Sequence, residues 1–404
     1  MDEILGRTQV RPGLFVPVLA TAVIVLPVQA VESELRERIR QLEQRVAELE
    51  GRSVKSEPVA PAALEWLGRT TFSGFVSASF FHNFNDGPPG ANAFVTRSDA
   101  FMLHKVKLAL ERPVDYDSKR WDAGFRVDMI AGEDAKVIHA AGLGNPDLPF
   151  DLEQASVNLN IPVGNGLRLT LGKTVTLMGV EVIEETLNPN WSAGNQFLYV
   201  ENFTQLGGML AYKWNEKVET VLAVFNGWDK VTDNNAGLSY MGKINLALSE
   251  KTSVALLGYG GPERDNNTRD WRKGAQVVLT RKIGDKVTLH VQGDYGQEDR
   301  AALTGDDAEW YAAGLWVVYQ FHKKMGLALR GDYLADDGSS RTGFDPRGNA
   351  NLASFTVTLN IAPTRNLHVR PEIRYDHCSD AVFTDGGAKR HDQVLLGVGA
   401  SYLF

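Results

Sequence analysis

The feature that most constrains the fold is a two-residue alternation of apolar and polar side chains, which runs from Thr70 to the C-terminus. In residues 367–376, Leu367, Val369 and Ile373 fall on one face of an extended chain, and charged side chains fall on the other. Runs of this kind span about 10 to 13 residues, which is the length of a tilted membrane strand. Strands of soluble proteins are usually shorter, at about 5 to 6 residues. The alternation therefore predicts membrane-crossing β-strands.

The connections between these runs alternate in length. Very short turns are predicted at Gly164-Asn165, Asn215-Glu216, Ser249-Glu250, Gly284-Asp285, His322-Lys323 and Thr364-Arg365. Longer polar segments lie between them, at residues 175–202, 229–237, 261–270, 297–308, 335–350 and 378–390. Tight periplasmic turns and long external loops alternate in this way in membrane barrels. We predict an all-β fold, a transmembrane antiparallel β-barrel of about 16 strands over residues 70–404, wide enough for an aqueous channel.

Composition excludes several other classes of protein. No stretch after the N-terminus approaches the roughly 20 apolar residues of a spanning helix. The net charge of −8 comes without a dense Lys/Arg run, so no nucleic-acid partner is predicted. The single cysteine, Cys378, has no intrachain partner for a disulfide. No catalytic or metal-binding motif stands out, so the sequence predicts no enzyme activity, cofactor or metal.

Aromatic residues near the predicted strand ends suggest girdles at the lipid headgroups. They are Trp214, Trp228, Trp271, Trp310, Tyr212, Tyr319, Phe321, Tyr333, Tyr375, Tyr402 and Phe404. A last strand that ends on Phe404 resembles the segment recognised by the outer-membrane assembly machinery. These features predict a location in the bacterial outer membrane, in contact with its lipid.

Residues 1–30 are interpreted as a signal peptide. Arg7 and Arg11 precede an apolar run from Leu14 to Val28, and Ala30 offers a small-residue cleavage site. The alternative is an uncleaved membrane anchor, although about 15 apolar residues are few for a span.

Residues 31–52 are predicted to form a short coiled-coil helix. Leu35, Ile39, Leu42, Val46 and Leu49 recur at spacings of four and three. A helix this short is marginal alone in water and needs a partner. Two hypotheses stay open: the helix helps a homotrimer form, or it lies against the barrel or the peptidoglycan. Residues 53–69 are predicted to be a linker.

Some strands depart from simple alternation. Residues 218–227 and 252–260 are apolar on both faces, which suits strands covered on both sides by an inserted loop or a neighbouring subunit. Pro371 interrupts an otherwise regular strand and removes a ladder donor, so a local bulge is expected there.

Two segments resemble the OmpL-like β-barrel porin family. The motifs are Gly172-Lys173, Gly179-Val180-Glu181, Asn188 with Asn190 and Ser192, Asn226-Gly227-Trp228-Asp229, and Asn234. The resemblance covers about residues 70–404. It implies an outer-membrane barrel with pore activity but does not indicate a solute. A coiled coil followed by a barrel also resembles the architecture of phosphate-selective porins.

The longest connection, residues 175–202, is predicted to fold into the lumen as a constriction loop. Its candidate site residues are Glu181, Glu184, Glu185, Asn188 and Asn190. Candidate pore-lining residues lie on the polar strand faces: Lys105, Lys107, Arg126, Asp128, Arg168, Asp294, Arg330, Asp332, Arg370, Glu372, Arg374 and Asp376.

Two hypotheses describe these charges. An acidic loop that faces a basic wall would create a transverse field, which orients polar solutes. Alternatively, wall charges pair along the strands, as Arg126 with Asp128 and Arg330 with Asp332, and keep the lumen wet. Because acidic and basic residues interleave, only weak ion selectivity is expected.

The sequence therefore favours a porin through which small hydrophilic solutes or ions diffuse passively. The alternative is a structural barrel that anchors the envelope without an open pore.

Overall fold

The computed structural model describes residues 36–45, 68–344 and 349–404. The chain divides into two units, residues 1–65 and 66–404. In the first unit, residues 36–45 are helical, as predicted, and Ile39 and Leu42 expose 48% and 61% of their surface. The predicted signal peptide, the rest of the predicted coiled coil and residues 53–67 lie outside the described residues. None of the described helices is both long and apolar enough to cross a membrane.

Sixteen strands of the described part of the chain close into one antiparallel barrel, and two short strands form a separate hairpin. The barrel strands are β1 Thr71–Asn83, β2 Ala100–Arg112, β3 Asp122–Ala131, β4 Phe150–Ile161, β5 Leu167–Val175, β6 Thr204–Asn215, β7 Val218–Phe225, β8 Ser239–Ser249, β9 Thr252–Pro262, β10 Trp271–Ile283, β11 Val287–Glu298, β12 Ala308–His322, β13 Met325–Asp337, β14 Asn349–Ile361, β15 Leu367–Cys378 and β18 Asp392–Leu403. The hairpin comprises β16 Phe383–Asp385 and β17 Ala388–Arg390, within the segment predicted as a long external loop.

Pairing of the first and last strands closes the barrel. Phe75 lies opposite Leu403 in the β1–β18 ladder, and the amide of Phe404 donates to the carbonyl of Gly74 at 2.9 Å. Closure matters because an open sheet edge would leave backbone groups unpaired in lipid. The predicted strand number and fold class are confirmed.

Alternation along the strands sorts residues between lumen and lipid. On β13, Arg330 and Leu334 are fully buried inside the barrel, whereas Tyr333 is 46% exposed on the outside. Outward-facing residues of other strands are large and apolar, such as Leu222 and Phe355. The barrel therefore presents an apolar outer surface to lipid.

Short turns gather at one end of the barrel, the short-turn end, and long connections gather at the other. Residues 284–286 join β10 to β11, whereas residues 176–203 separate β5 from β6. Gly284 has a φ of +61°, which a glycine adopts without steric cost. In outer-membrane barrels the short turns face the periplasm.

Two expectations about single residues are wrong. Trp228 and Trp310 were expected in the aromatic girdles, but they lie inside the barrel and expose only 7% and 0% of their surface. Pro371 does not produce a bulge. The pairs of Thr358 with Glu372 and Ile361 with Val369 share one register, so no residue is inserted between them.

Candidate functional site: the loop in the barrel lumen

The longest connection, residues 176–203, is called the inserted loop because it contacts lumen-facing side chains on most of the barrel wall. Near its start, the amides of Gly179 and Val180 donate to the side-chain oxygens of Gln276 on β10 and Gln292 on β11, both at 2.8 Å. Near its end, Gln196 donates to Asp294 on β11 at 2.6 Å. The loop therefore lies within the lumen, as the sequence predicts.

Carboxylates of the wall accept hydrogen bonds from the middle of the inserted loop. Glu372 on β15 accepts from the amides of Trp191 and Ser192, at 2.7 and 3.1 Å. Asp332 on β13 accepts from the amide of Asn195 at 3.1 Å. Buried amides without partners would destabilise the fold, so these acids take the place of water.

Cations of the wall donate to the carbonyls of the same loop. Lys105 donates to the carbonyl of Ile183 at 2.7 Å, and Arg374 donates to that of Ala193 at 2.6 Å. Arg370 reaches three loop carbonyls, those of residues 185, 188 and 189. A guanidinium has five donors in a fixed plane, which suits several carbonyls at once.

Three of the four glutamates of the inserted loop form ion pairs with wall cations. Glu181 lies 2.8 Å from Arg330, and Glu185 lies 2.9 Å from Lys105. Glu184 pairs with Lys107. These charges are in contact, so they compensate each other and do not face one another across water.

Two asparagines of the inserted loop, Asn188 and Asn190, bind the loop backbone and the wall. Asn188 binds both the amide and the carbonyl of Val182, at 2.8 and 2.7 Å. Asn190 donates to Thr358 on β14 at 2.7 Å. Both asparagines are buried, so in this structure they stabilise the loop and do not meet passing water.

Several wall charges also pair along their own strands. Arg330 lies 3.0 Å from Asp332, and Arg374 lies 2.8 Å from Asp376. Arg126 pairs with Asp128 at 2.9 Å. Both sets of contacts therefore occur: wall charges pair with each other and also bind the loop.

Two predicted lining residues, Arg126 and Arg168, are more exposed to the lumen than the others. The Arg126 side chain is 36% exposed. Arg168 is 29% exposed and pairs with Glu219 at 2.9 Å. Arg168 lines a cavity of about 510 Å³ at the short-turn end, together with Asn245 and Thr280. We call it the mixed cavity.

Apolar side chains fill the lumen beside the loop. Met178 packs with Ala223, Phe225 and Leu257, which explains why residues 218–227 and 252–260 are apolar on both faces. Further clusters form around Phe197 and Trp310, joined by side chains of other long connections. Cover by an inserted loop was one of the two expectations for these two strands, but the clusters around Phe197 and Trp310 were not predicted, because alternation shows which face is inward and not what covers it.

Lys107 sits among three carboxylates. Oxygens of Asp128, Glu153 and Glu184 lie within 4.8 Å of one another. Lys107 lies 2.9 Å from Asp128 and 3.0 Å from Glu153. The ammonium therefore supplies the positive charge that a metal ion would otherwise bring.

A Ser–His–Asp hydrogen-bond chain was not anticipated. Ser79 lies 2.6 Å from Nε2 of His104, and Nδ1 of His104 lies 2.8 Å from Asp134. This order matches a hydrolase triad, but the three residues are 4%, 2% and 1% exposed. Asp134 also pairs with Lys105 at 3.1 Å. The chain thus ties the short helix Asp134–Val137 to the wall.

Glu201, at the end of the inserted loop, lacks a cation at hydrogen-bond distance among the contacts of the described residues. Gln292 and Gln276 donate to it at 2.7 and 3.3 Å, and it is 4% exposed. Burial and the neighbouring charge of Asp294 raise the pKa of the Glu201 carboxyl well above its ordinary value.

A closed sixteen-stranded barrel with an apolar exterior and a loop folded into its lumen defines the class of outer-membrane porins. The sequence matches the family described as "Putative beta-barrel porin-2, OmpL-like" over residues 69–404, and the chain belongs to this family. It is an outer-membrane channel protein. Comparison with curated protein sequences finds no match.

Solved structures of three porins and channels share the fold. The outer membrane channel DcaP of Acinetobacter baumannii is 12% identical, with a TM-score of 0.55 over 83% of this chain and 97% of that one. The anion-selective porin from Comamonas acidovorans is 11% identical, with a TM-score of 0.59 over 83% and 99%. The trimer form of OmpT from Vibrio cholerae is 11% identical, with a TM-score of 0.56 over 83% and 99%.

Breaking one buried ion pair tests how firmly the loop is held. We expect Glu181→Gln to lower the free energy of unfolding by about 3 kcal/mol or more, because Arg330 would stay buried with less compensation. Urea unfolding in lipid vesicles measures this change. The matched control is Glu219→Gln, which breaks a partly exposed pair and should cost less than about 1 kcal/mol. Equal effects of the two substitutions would contradict the account.

The buried Glu201 carboxyl predicts a pH dependence. Its raised pKa means that the folded state keeps a proton that the unfolded state loses above pH 4.5. Stability should therefore fall by about 1.4 kcal/mol per pH unit above that value, until the carboxyl ionises. Glu201→Gln should make the fall of stability with pH shallower by this amount, whereas Glu216→Gln, in an exposed turn, should leave it unchanged. Unfolding curves between about pH 5 and pH 7 measure the difference, and parallel slopes for wild type and Glu201→Gln would contradict it.

Proposed function

We propose that small hydrophilic solutes or ions cross the outer membrane through this barrel by passive diffusion, and that the inserted loop forms the constriction. The observation that carries the proposal is the position of this loop. It meets wall residues on β2 and on β10 to β15, and polar cavities remain between it and the short-turn end. A solute must therefore pass beside the loop.

The lining residues have two different roles in this proposal. Lys105, Arg330, Arg370, Glu372 and Arg374 are buried against the loop and fix its position. Arg126, Arg168 and Glu219 are partly exposed, and in this proposal they face water in the lumen. Charges in contact with water act on passing ions, so this second group contributes more to ion preference.

We also propose a homotrimer, assisted by the N-terminal helix. The apolar Ile39 and Leu42 are exposed on the helix over residues 36–45, so burying them against other helices would be favourable. One porin of the same fold, OmpT of Vibrio cholerae, has been solved in a trimer form. We further propose that residues 1–30 serve as the signal peptide and residues 53–69 as the linker.

A second candidate function is a structural barrel that anchors the envelope and conducts nothing. Apolar packing inside the barrel favours it. Trp310, Leu334, Leu352 and Phe383 form one buried cluster, and Phe94, Ile138 and Phe197 belong to another. The two functions differ in whether ions flow.

Single-channel recording in planar bilayers separates these functions. We expect stepwise currents from the full-length exported protein. Glu372→Gln should give larger steps, because the amides of Trp191 and Ser192 lose their charged acceptor and the loop moves more freely. Bilayers exposed to detergent alone serve as the control. Silent bilayers with both proteins would contradict passive diffusion and support the anchoring barrel.

Chemical cross-linking tests the assembly. The protein purified from membranes should cross-link to three copies, and a variant lacking residues 31–52 should cross-link mainly as one or two copies. A variant that lacks residues 379–390, part of the predicted external segment, controls for shortening of the chain elsewhere. An unchanged trimer without residues 31–52 would remove the role proposed for the helix.

A further inference from the structure

A second cavity, called the basic cavity, lies at the short-turn end between the inserted loop and strands β11 to β15. Its volume is about 380 Å³, within the range of small-molecule pockets of about 300–1,000 Å³. Its lining includes five basic residues, Lys323, Lys324, His290, His368 and Arg370. On the side of the inserted loop, the cavity is lined by Thr186, Leu187, Asn188 and Pro189.

The charge of the basic cavity is one-sided. Two lysines, one arginine and two histidines line it, and none of its lining residues is an aspartate or a glutamate. The whole chain carries a net charge of −8, so the basic lining of this cavity differs from the charge composition of the protein as a whole. The mixed cavity differs, because it combines Arg168, Lys213 and Lys217 with Glu216 and Glu219.

The cationic side chains of the basic cavity differ in how many of their hydrogen-bond donors are already paired within the protein. Arg370 donates to loop carbonyls and to Asn360, and it is 4% exposed, so it contributes charge but few free donors. Lys324 donates one hydrogen bond to the carbonyl of Pro363 at 2.6 Å, which leaves two of its three hydrogens. Lys323 is exposed at the cavity rim.

Neighbouring acids offset the charge of Arg370, but the cavity lining contains no acid beside Lys323 and Lys324. The carboxylates that act most strongly on Arg370 are Glu372 and Glu185. Glu372 accepts from loop amides and from Thr358, while Glu185 pairs with Lys105. Both carboxylates are at most 4% exposed. A recess with low-dielectric walls and one sign of charge concentrates the opposite ion.

We propose that the basic cavity binds small oxyanions, with Lys323 and Lys324 as the main ligands, and that it makes the channel prefer anions. Phosphate and carboxylate oxygens accept several hydrogen bonds from ammonium groups and from imidazole N–H groups. The site lies on the route of the proposed function, so the preference for anions rests on that function. Binding itself does not depend on conduction.

Two measurements test the site. The first is the ³¹P linewidth of inorganic phosphate titrated with the detergent-solubilised protein, with succinate added as a competitor. The second is the zero-current potential of planar bilayers under a KCl gradient. We expect saturable phosphate broadening, its reversal by succinate, and a potential of the sign that chloride preference gives.

The test variant is Lys323→Gln with Lys324→Gln. Phosphate affinity should fall by about tenfold, and the zero-current potential should move toward cation preference. The matched control is Lys251→Gln with Lys286→Gln, which removes the same charge from exposed short turns outside both cavities. The control should behave as the wild type in both measurements.

The outcomes separate the two proposals. Phosphate binding that depends on Lys323 and Lys324 in a protein without current would support the site and overturn the channel function. Current without saturable phosphate binding would overturn the site and leave the channel function intact. Equal loss of binding in the test and control variants would also overturn the site, because net charge alone would then explain it.

Discussion

The structure depends on one constraint: a backbone segment that enters a barrel must find partners there for its N–H and C=O groups. The inserted loop meets this requirement through the charged side chains of the wall. Glu372 and Asp332 accept from its amides, and Arg370 and Arg374 donate to its carbonyls. Buried charges are costly unless they are paired and hydrogen-bonded. In this structure the buried wall charges and the loop backbone are hydrogen-bond partners of each other. The charged groups are therefore hydrogen-bonded, and the N–H and C=O groups of the loop have acceptors and donors.

The same constraint divides the lumen into two kinds of space. Beside the loop, side chains such as Met178, Phe197 and Trp310 pack into apolar clusters. Toward the short-turn end, polar cavities remain, and Arg168 and Lys323 are among the residues that line them. In the proposed channel, the few charges that water reaches would set any solute preference. The buried wall charges bind the inserted loop instead.

The sequence predicts the barrel well because alternation and turn spacing are local signals. β10 occupies the residues between the predicted connection 261–270 and the predicted turn at Gly284-Asp285, and the long connection before β6 enters the lumen as expected. The partners of the charges are not local. Glu181 and Arg330 are far apart in the chain, so their contact follows only from closure of the barrel. Trp310 was misassigned to a girdle for the same reason: its position near a strand end is visible in the sequence, but the face it occupies depends on the register.

Amide hydrogen exchange of the inserted loop in lipid tests the central claim most directly. If wall charges hold the loop backbone, the amides of Trp191, Ser192 and Asn195 should exchange as slowly as those of the neighbouring barrel strands. Rapid exchange of these amides, at the rate of exposed loop residues, would show that the loop is not held by the wall and would contradict the account.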